Sequence, residues 1–253
     1  MRIEHPSEKH IPYLKKLWQD SFGDTDEYID IFFDTAYSKD RCLVALDGQC
    51  PVGVIYWLDC AFFDRRIAYF YAIATKKSHR GKGICSRLME YAHSHLRELG
   101  YSAVILVPGE PSLFDFYGKM GYETGSYVDE IKCQKAEGDI TIREINGNEY
   151  ASLRRKYLPQ NGILQENEHI KYLEKQAKLY TGEDFLLSCR REGDALTGLE
   201  LLGDTSLAPY VVNALGCADG NFRVMGDKKP FAMYLSLENQ PLPRTFYFGI
   251  AFD

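Results

Sequence analysis

The sequence predicts an α/β fold in which a mixed sheet is flanked by helices, and it predicts that this arrangement occurs twice. A glycine-rich turn joins an apolar strand to a helix within residues 69–99. An Asp47-Gly48 turn joins two strand-like segments, residues 41–47 and 51–59, which is a strong signal for a β-hairpin. Short segments of the first half also recur in the second half at a nearly constant spacing.

The first elements alternate as this class requires. Residues 2–4 predict an opening strand, and Ser7 starts a capped amphipathic helix that continues through Leu14 to Trp18. A second helix begins at residues 24–27, with Asp and Glu in its first turn. The predicted hairpin follows, and bulky residues at 54–58 indicate that its second strand is buried.

The glycine-rich turn lies between a strand at residues 69–75 and a helix that starts near Cys85. Gly81 and Gly83 allow a sharp turn and a close approach of the backbone to a ligand. The helix that follows offers unpaired N–H groups to an anion, and Arg80 and Lys82 add positive charge. The pattern favours a pyrophosphate-binding loop, although a plain connection between a strand and a helix uses glycines in the same way.

Three further elements follow the turn. The helix that starts at Cys85 ends at Gly100, and a short apolar strand occupies residues 101–107. A short helix then begins at Pro111 and closes before Gly121.

These two segments together resemble the GNAT superfamily of acyl-CoA-dependent N-acyltransferases. RGKGIC, residues 80–85, matches the family pattern of Gln or Arg, two variable residues, Gly, one variable residue, and Gly or Ala. Cys85 departs from the pattern, but it is small enough for the loop to survive. FYGKMGY, residues 116–122, matches the later family helix, and the resemblance covers roughly residues 1–135. It implies a mostly antiparallel sheet flanked by helices.

The resemblance also implies the cosubstrate, acetyl-CoA, and the residues that handle it. The family tyrosine that protonates the departing thiolate maps to Tyr117, although an aromatic-rich helix also suits a core residue. Ser112 is a binding candidate that could equally cap its helix. The predicted coenzyme-binding residues are Ile73, Ala74, Thr75, Arg80, Gly81, Lys82, Gly83, Ile84, Cys85 and Ser112.

The acceptor side is less defined. Tyr69 and Tyr71 either line an acceptor pocket or fill a core. The strand at residues 69–75 carries no Asp or Glu, so the general base stays open among Asp59, Asp64, Glu110 and a chain of water molecules.

The internal repeat predicts a tandem duplication. Ile3-Glu4 corresponds to Ile142-Arg143-Glu144, residues 43–46 to 186–189, and the Asp47-Gly48 turn to Glu192-Gly193, with offsets of about 140 to 145 residues. We therefore expect a first domain at residues 1–135 that holds the acyl-CoA site, a polar junction at 135–139 and a degenerate GNAT-like copy at 139–253.

The second copy keeps the scaffold without the binding loop. Its glycine-containing segment, residues 216–220, carries Asp219 and no basic residue, so it would repel phosphate. The remaining segments 221–224, 230–237 and 244–252 are expected to be strands, with a proline-containing loop at 238–243.

Composition limits the alternatives. Seven cysteines without a CxxC pair favour a reduced, cytoplasmic protein over a disulfide framework or a metal site, so we expect no metal. From the sequence we expect no signal segment and no membrane-length apolar run. A net charge of −6 argues against nucleic acid and for an amine-bearing substrate, a small molecule or a peptide. We expect no membrane partner, and homo-oligomer formation is left open.

The sequence thus predicts an N-acetyltransferase that transfers an acetyl group from acetyl-CoA to an amine by direct attack in a ternary complex. A non-catalytic, regulatory acyl-CoA-binding module is the alternative, and one emptied copy makes it credible. A third interpretation, a structural partner in a larger assembly, rests only on the aromatic residues of the C-terminal segments.

Overall fold

A computed structural model describes residues 1–252 of the chain, which packs into two compact units. The first unit holds residues 1–123 and 234–241. The second holds residues 124–233 and the described residues from Leu242 onward. The predicted junction at residues 135–139 lies inside the second unit, because the chain between residues 124 and 134 packs there.

The first unit is a sheet covered by helices, as predicted. β1 to β4 pair in chain order and antiparallel, and β4 pairs parallel with β5. The predicted hairpin is confirmed as β2 and β3. The elements are β1 (Arg2–Glu4), α1 (Ile11–Phe22), α2 (Asp26–Thr35), β2 (Cys42–Asp47), β3 (Cys50–Phe62), β4 (Arg65–Thr75), α3 (Ile84–Glu98), β5 (Ala103–Leu106) and α4 (Pro111–Gly118).

Aromatic residues form the core beneath α1 and α2. Trp18 on α1 lies 4.8 Å from Phe32, 5.5 Å from Tyr56 and 5.4 Å from Tyr71 between ring centroids. Tyr69 and Tyr71 are only 3% and 9% exposed. Of the two interpretations of these tyrosines, their burial favours the core.

The second unit repeats the order of the first. β7, β9, β10 and β11 pair antiparallel, β11 pairs parallel with β12, and β12 pairs antiparallel with β6. The remaining elements of the chain are β6 (Glu123–Gln134), β7 (Arg143–Glu144), α5 (Gly147–Tyr157), β8 (Leu164–Gln165), α6 (Glu168–Gln176), β9 (Lys178–Thr181), β10 (Phe185–Glu192), β11 (Ala195–Gly203), α7 (Ala208–Ala214), β12 (Asp219–Met225) and β13 (Lys229–Ser236).

The pairing order identifies which strands of the two units correspond. In both units one strand precedes two helices, three antiparallel strands follow, and a helix leads to a parallel strand. β2 therefore corresponds to β9, and β3 to β10. The sequence comparison instead matched residues 43–46 of β2 with 186–189 of β10, which is wrong by one strand, because short apolar strands that meet at a glycine turn look alike.

The first unit is completed by a segment from near the end of the chain. The last residues of β13, Tyr234–Ser236, lie beside β5. Beyond them, the N–H of Leu237 donates to the carbonyl of Ser102 at 2.9 Å, and Arg97 Nε donates to the carbonyl of Leu237 at 3.0 Å. Residues 1–135 alone would therefore leave one edge of β5 uncovered.

The predicted strands at residues 221–224 and 230–237 are confirmed as β12 and β13, but the strand predicted at 244–252 is wrong. This segment makes an isolated bridge, between Tyr247 and Gly162, instead of a strand, and side chains satisfy much of its remaining backbone. The N–H of Phe248 donates to Ser126 Oγ at 3.1 Å, and the amide of Gln165 both accepts from the N–H of Ile250 and donates to its carbonyl. Its aromatic residues are buried, which removes the support for a structural-partner role.

A buried ion pair anchors this segment in the second unit. Arg154 on α5 and Glu200 on β11 are 1% and 0% exposed in their side chains, and Arg154 Nε lies 2.7 Å from Glu200 Oε2. The hydroxyls of Tyr150 and Tyr247 donate to the same carboxylate at 2.9 and 3.0 Å. Burial alone would raise the pKa of Glu200, but the charge of Arg154 and these hydrogen bonds hold it below its usual value.

Among residues 1–252, no helix is both long and apolar enough to cross a membrane.

Replacing Glu200 by Gln should destabilise the second unit strongly. The change leaves the Arg154 guanidinium buried without its charge partner, and breaking such a pair costs about 3–5 kcal/mol. Chemical denaturation of the full chain measures the loss in the free energy of unfolding. The control is Arg143→Gln, which removes an exposed pair with Glu149. Equal stability of the two variants would contradict the role of the buried pair.

Candidate active site

A pocket of about 420 Å³ lies in the first unit, where β4 ends and α3 begins. All the predicted site residues except Lys82 and Ser112 line it. The pocket also includes residues that the sequence analysis missed: Ser21, Phe22, His79, Ser86, Leu113 and Phe116. Leu113 lies one helical turn before Tyr117 on α4, so its spacing could have revealed it, whereas Ser21 and Phe22 carry no comparable signal.

The pocket exists because β4 extends beyond the end of β5, its parallel neighbour. The two strands pair from Ile67 opposite Ala103 to Phe70 opposite Leu106, where β5 ends, while β4 continues to Thr75. Ala72 has a φ of +48°, and the β3–β4 register shifts there, which marks a β-bulge. The strands therefore part beyond Phe70.

The register shows which backbone groups face the gap. The N–H of Lys76 donates to the carbonyl of Val52 at 2.9 Å, so Ala74, opposite Val54, is the next residue that bonds to β3. The backbone groups of Ile73 and Thr75 then point away from β3, towards the pocket. The carbonyl of Thr75 accepts a hydrogen bond from Arg80 Nε at 3.1 Å, which ties the glycine loop, residues 80–85, to the strand end.

The glycine loop adopts a backbone conformation that favours glycine. Gly81 and Gly83 have φ values of +73° and +70°, and a Cβ at either would meet nothing within 4 Å. α3 begins at Ile84, directly after Gly83, and no side chain caps it. The N–H groups of its first turn are thus available to a ligand at the pocket wall formed by residues 83–86.

Two predicted binding residues lie outside the pocket. Lys82 is exposed, and its carbonyl accepts from Arg87 at 3.0 Å. Ser112 is exposed, and its Oγ donates to Glu110 Oε1 at 2.6 Å. The N-cap position of α4 is held by Glu110, so Ser112 does not cap the helix either.

Tyr117 closes the pocket from α4 and is 7% exposed. Burial, and secondarily the nearby Cys85, raises the pKa of Tyr117 well above its ordinary value. Burial also raises the pKa of the Cys85 thiol to about 11. Both groups are therefore protonated and neutral at physiological pH, which makes the Tyr117 hydroxyl a proton donor rather than a base.

The three carboxylates that the sequence offers as a general base lie at different distances from the pocket. Asp59 is opposite Ala68 in the β3–β4 register, about 16 Å along the strand from Ile73 at 3.3 Å per residue, and it accepts a hydrogen bond from Tyr101. Asp64 lies farther away, in the turn before Arg65. Glu110, at the start of α4, is the one nearest to Tyr117 along the chain.

The corresponding place in the second unit is closed. β11 and β12 pair from Ala195 opposite Asp219 to Leu201 opposite Val224, almost the whole length of β11. The loop that corresponds to the glycine loop is residues 203–208, not the 216–220 segment that the sequence suggested. In this loop the carboxylate of Asp204 already accepts from the N–H of Ser206 at 3.0 Å and from its hydroxyl at 2.7 Å.

Comparisons with known proteins agree with this architecture. Residues 2–125 match the family model of the acetyltransferase (GNAT) domain. The GNAT domain identified in this way occupies the first unit of the chain. Comparison with curated proteins gives no significant match.

Solved structures share the fold across both units at low identity. A GCN5-related N-acetyltransferase from Kribbella flavida is 16% identical with a TM-score of 0.71, over 92% of this chain and 70% of that one. A GCN5-related N-acetyltransferase from Anabaena variabilis is 13% identical with a TM-score of 0.71, over 94% and 73%. Eis1 from Mycobacterium abscessus is 10% identical with a TM-score of 0.67, over 94% and 74%.

Proposed function

We propose that this chain is an N-acetyltransferase that transfers an acetyl group from acetyl-CoA to an amine by direct attack in a ternary complex. One observation carries the proposal: a single pocket combines an open strand edge, an uncapped helix start behind a glycine loop, and a buried, protonated tyrosine. The acceptor is a small-molecule or peptide amine.

The residues of the pocket fit the coenzyme in two places. The first-turn N–H groups at 84–86, with the Arg80 side chain nearby, suit the two negative charges of a pyrophosphate. The backbone of Ile73 and Thr75 on the open edge suits the amides of a pantetheine arm, which can pair with it as a neighbouring strand would. Lys82, which does not line the pocket, contributes charge only at a distance.

The reaction needs positioning and one proton donor. A neutral amine attacks the thioester carbonyl, the carbon–sulfur bond breaks, and Tyr117 gives its proton to the departing thiolate sulfur. Strand N–H groups that face the gap can stabilise the negative charge that develops on the carbonyl oxygen. The amine nitrogen loses a proton, which passes through water to the Tyr117 oxygen and reprotonates it. Holding both reactants close together supplies much of the rate acceleration.

The second copy, residues 139–253, is proposed to be degenerate and to bind no coenzyme. Its equivalent strands remain paired, and its equivalent loop carries Asp204 in place of basic residues. The cytoplasmic location stays a prediction from the sequence.

An acyl-CoA-binding regulatory module is the second candidate. The second unit supports this candidate, because it keeps the same order of strands and helices although its equivalent strands stay paired and leave no open site. Such a module would bind the coenzyme and show no thioester cleavage with any amine, so detection of free thiol across a panel of amines separates the two functions.

Gly83→Glu should abolish coenzyme binding while the fold persists. The carboxylate would extend into the open space beside the helix start and repel the pyrophosphate. Gly83→Ala is the matched control. It introduces the strain of a positive φ, about 1 kcal/mol, without the charge, so it should weaken binding much less. Calorimetry with coenzyme A and circular dichroism check both variants, and unchanged affinity in Gly83→Glu would remove the loop assignment.

Tyr117→Phe should lower kcat by roughly ten- to a thousandfold with little change in coenzyme affinity, since only transition-state stabilisation is lost. Steady-state kinetics and binding are measured together. The control is Tyr122→Phe, which removes another buried hydroxyl, bonded to His93 Nε2 at 2.7 Å, and should lower the melting temperature more than the turnover. Normal turnover of Tyr117→Phe would assign Tyr117 to the core.

Each chain should bind one coenzyme A, because the strands that part in the first unit, β4 and β5, have equivalents in the second, β11 and β12, that stay paired. Calorimetry of the full chain gives the stoichiometry. The Gly83→Glu variant should then bind none, and a remaining site in that variant, or two sites in the unmodified chain, would contradict a degenerate second copy.

A further inference from the structure

Two histidines far apart in sequence meet on the surface of the first unit. His5 follows β1 directly, and His95 lies in the last turn of α3. Their Nε2 atoms are 3.2 Å apart, and the ring centroids are 5.1 Å apart at an angle of 65°. Neither residue lines the pocket described above, so the pair plays no part in the proposed acetyl transfer.

Backbone carbonyls fix the orientation and tautomer of His5. Its Nδ1 lies 2.9 Å from the carbonyl oxygen of Cys42 and 3.0 Å from that of Lys39. Both oxygens only accept hydrogen bonds, so Nδ1 carries a proton, and in the neutral ring Nε2 has the free lone pair. An imidazole that donates one N–H to a carbonyl and directs the other nitrogen outward has the arrangement typical of metal-binding histidines.

His95 is held in place by aromatic neighbours. Its ring lies 6.4 Å from that of Tyr91 at 19°, and 6.3 Å from that of Trp57, between centroids. A metal ion takes both imidazoles in their neutral form, because a protonated ring has no lone pair to donate.

We propose that Nε2 of His5 and Nε2 of His95 form a binding site for a divalent transition-metal ion such as Zn²⁺. Zinc–nitrogen bonds of about 2.0–2.1 Å at a tetrahedral angle place two ligand nitrogens about 3.3–3.4 Å apart. The observed 3.2 Å separation thus needs almost no adjustment. His95 takes the tautomer protonated at Nδ1 when the ion binds, so the Nε2–H···Nε2 hydrogen bond of the metal-free pair is exchanged for two metal bonds.

Water completes the coordination. Among residues 1–252 no group of three or more His, Cys, Asp or Glu side chains is arranged to hold a metal ion, so the protein supplies only the two imidazoles. Imidazole ligands suit Zn²⁺, Ni²⁺ and Cu²⁺, and affinity should rise from Ni²⁺ to Cu²⁺ and fall again at Zn²⁺. An ion there joins the start of the chain to α3, and it should raise the stability of the folded protein by linkage.

The test uses the full chain without an affinity tag and with Cys50→Ser, which removes an exposed thiol that could compete for the metal. Calorimetry with Zn²⁺ and with Ni²⁺ should show one ion per chain. His5→Ala and, independently, His95→Gln should weaken binding at least about tenfold, the loss of one of two ligands. His79→Gln, which changes a half-buried imidazole elsewhere, should leave metal affinity unchanged.

Two more measurements distinguish metal binding at His5 and His95 from binding elsewhere on the protein. Zn²⁺ should raise the melting temperature of the parent and not that of His5→Ala or His95→Gln, with circular dichroism confirming that the variants fold. A Co²⁺ complex should lack the charge-transfer absorption of a thiolate ligand. Equal affinity in the parent and both variants, an absence of binding in the parent, or a thiolate band would overturn the proposal; absence of binding would leave a simple hydrogen bond between the rings.

Discussion

The pocket of the first unit depends on the separation of β4 from β5. A parallel pair normally satisfies the backbone of both strands, and buried backbone groups without partners are costly. Here β5 stops at Leu106 while β4 continues to Thr75, and the bulge at Ala72 turns the strand end away. The exposed edge, the glycine loop tied to it by Arg80, and Tyr117 opposite them all follow from that one opening. In the second unit the equivalent strands, β11 and β12, stay paired.

Equivalent backbone groups of the two units therefore have different hydrogen-bond partners. In the second unit, protein strands fill the gap, and the loop after β11 is folded onto its own Asp204. In the first unit, no side chain caps the start of α3, and its first residues line the pocket. A ligand bound there gains hydrogen bonds that the protein does not otherwise make, so binding should stabilise the first unit more than the second.

The sequence predicted the elements that local patterns specify. The glycine loop, the hairpin at Asp47-Gly48 and the position of Tyr117 depend on residues close together in the chain, and the structure brings most of the predicted site residues into one pocket. The sequence did not predict that Lys82 and Ser112 lie outside it, because the direction of a side chain in a loop or at the start of a helix depends on tertiary packing. The one-strand error in the repeat has a similar cause, since apolar strands carry little information about their partners.

The features that sequence missed entirely are long-range. Residues 244–252 are apolar and alternating, as a strand would be, but the N–H groups of Phe248 and Ile250 donate to the Ser126 hydroxyl and the Gln165 amide, which no periodicity reveals. His5, directly after β1, and His95 on α3 meet across a separation of ninety residues in the chain. The two cases share a physical origin. In each, a polar side chain forms a hydrogen bond with a group far away in the sequence, and the folding of the whole unit brings the two groups together. In such places, function or stability can be inferred only after the register of every strand around them is known.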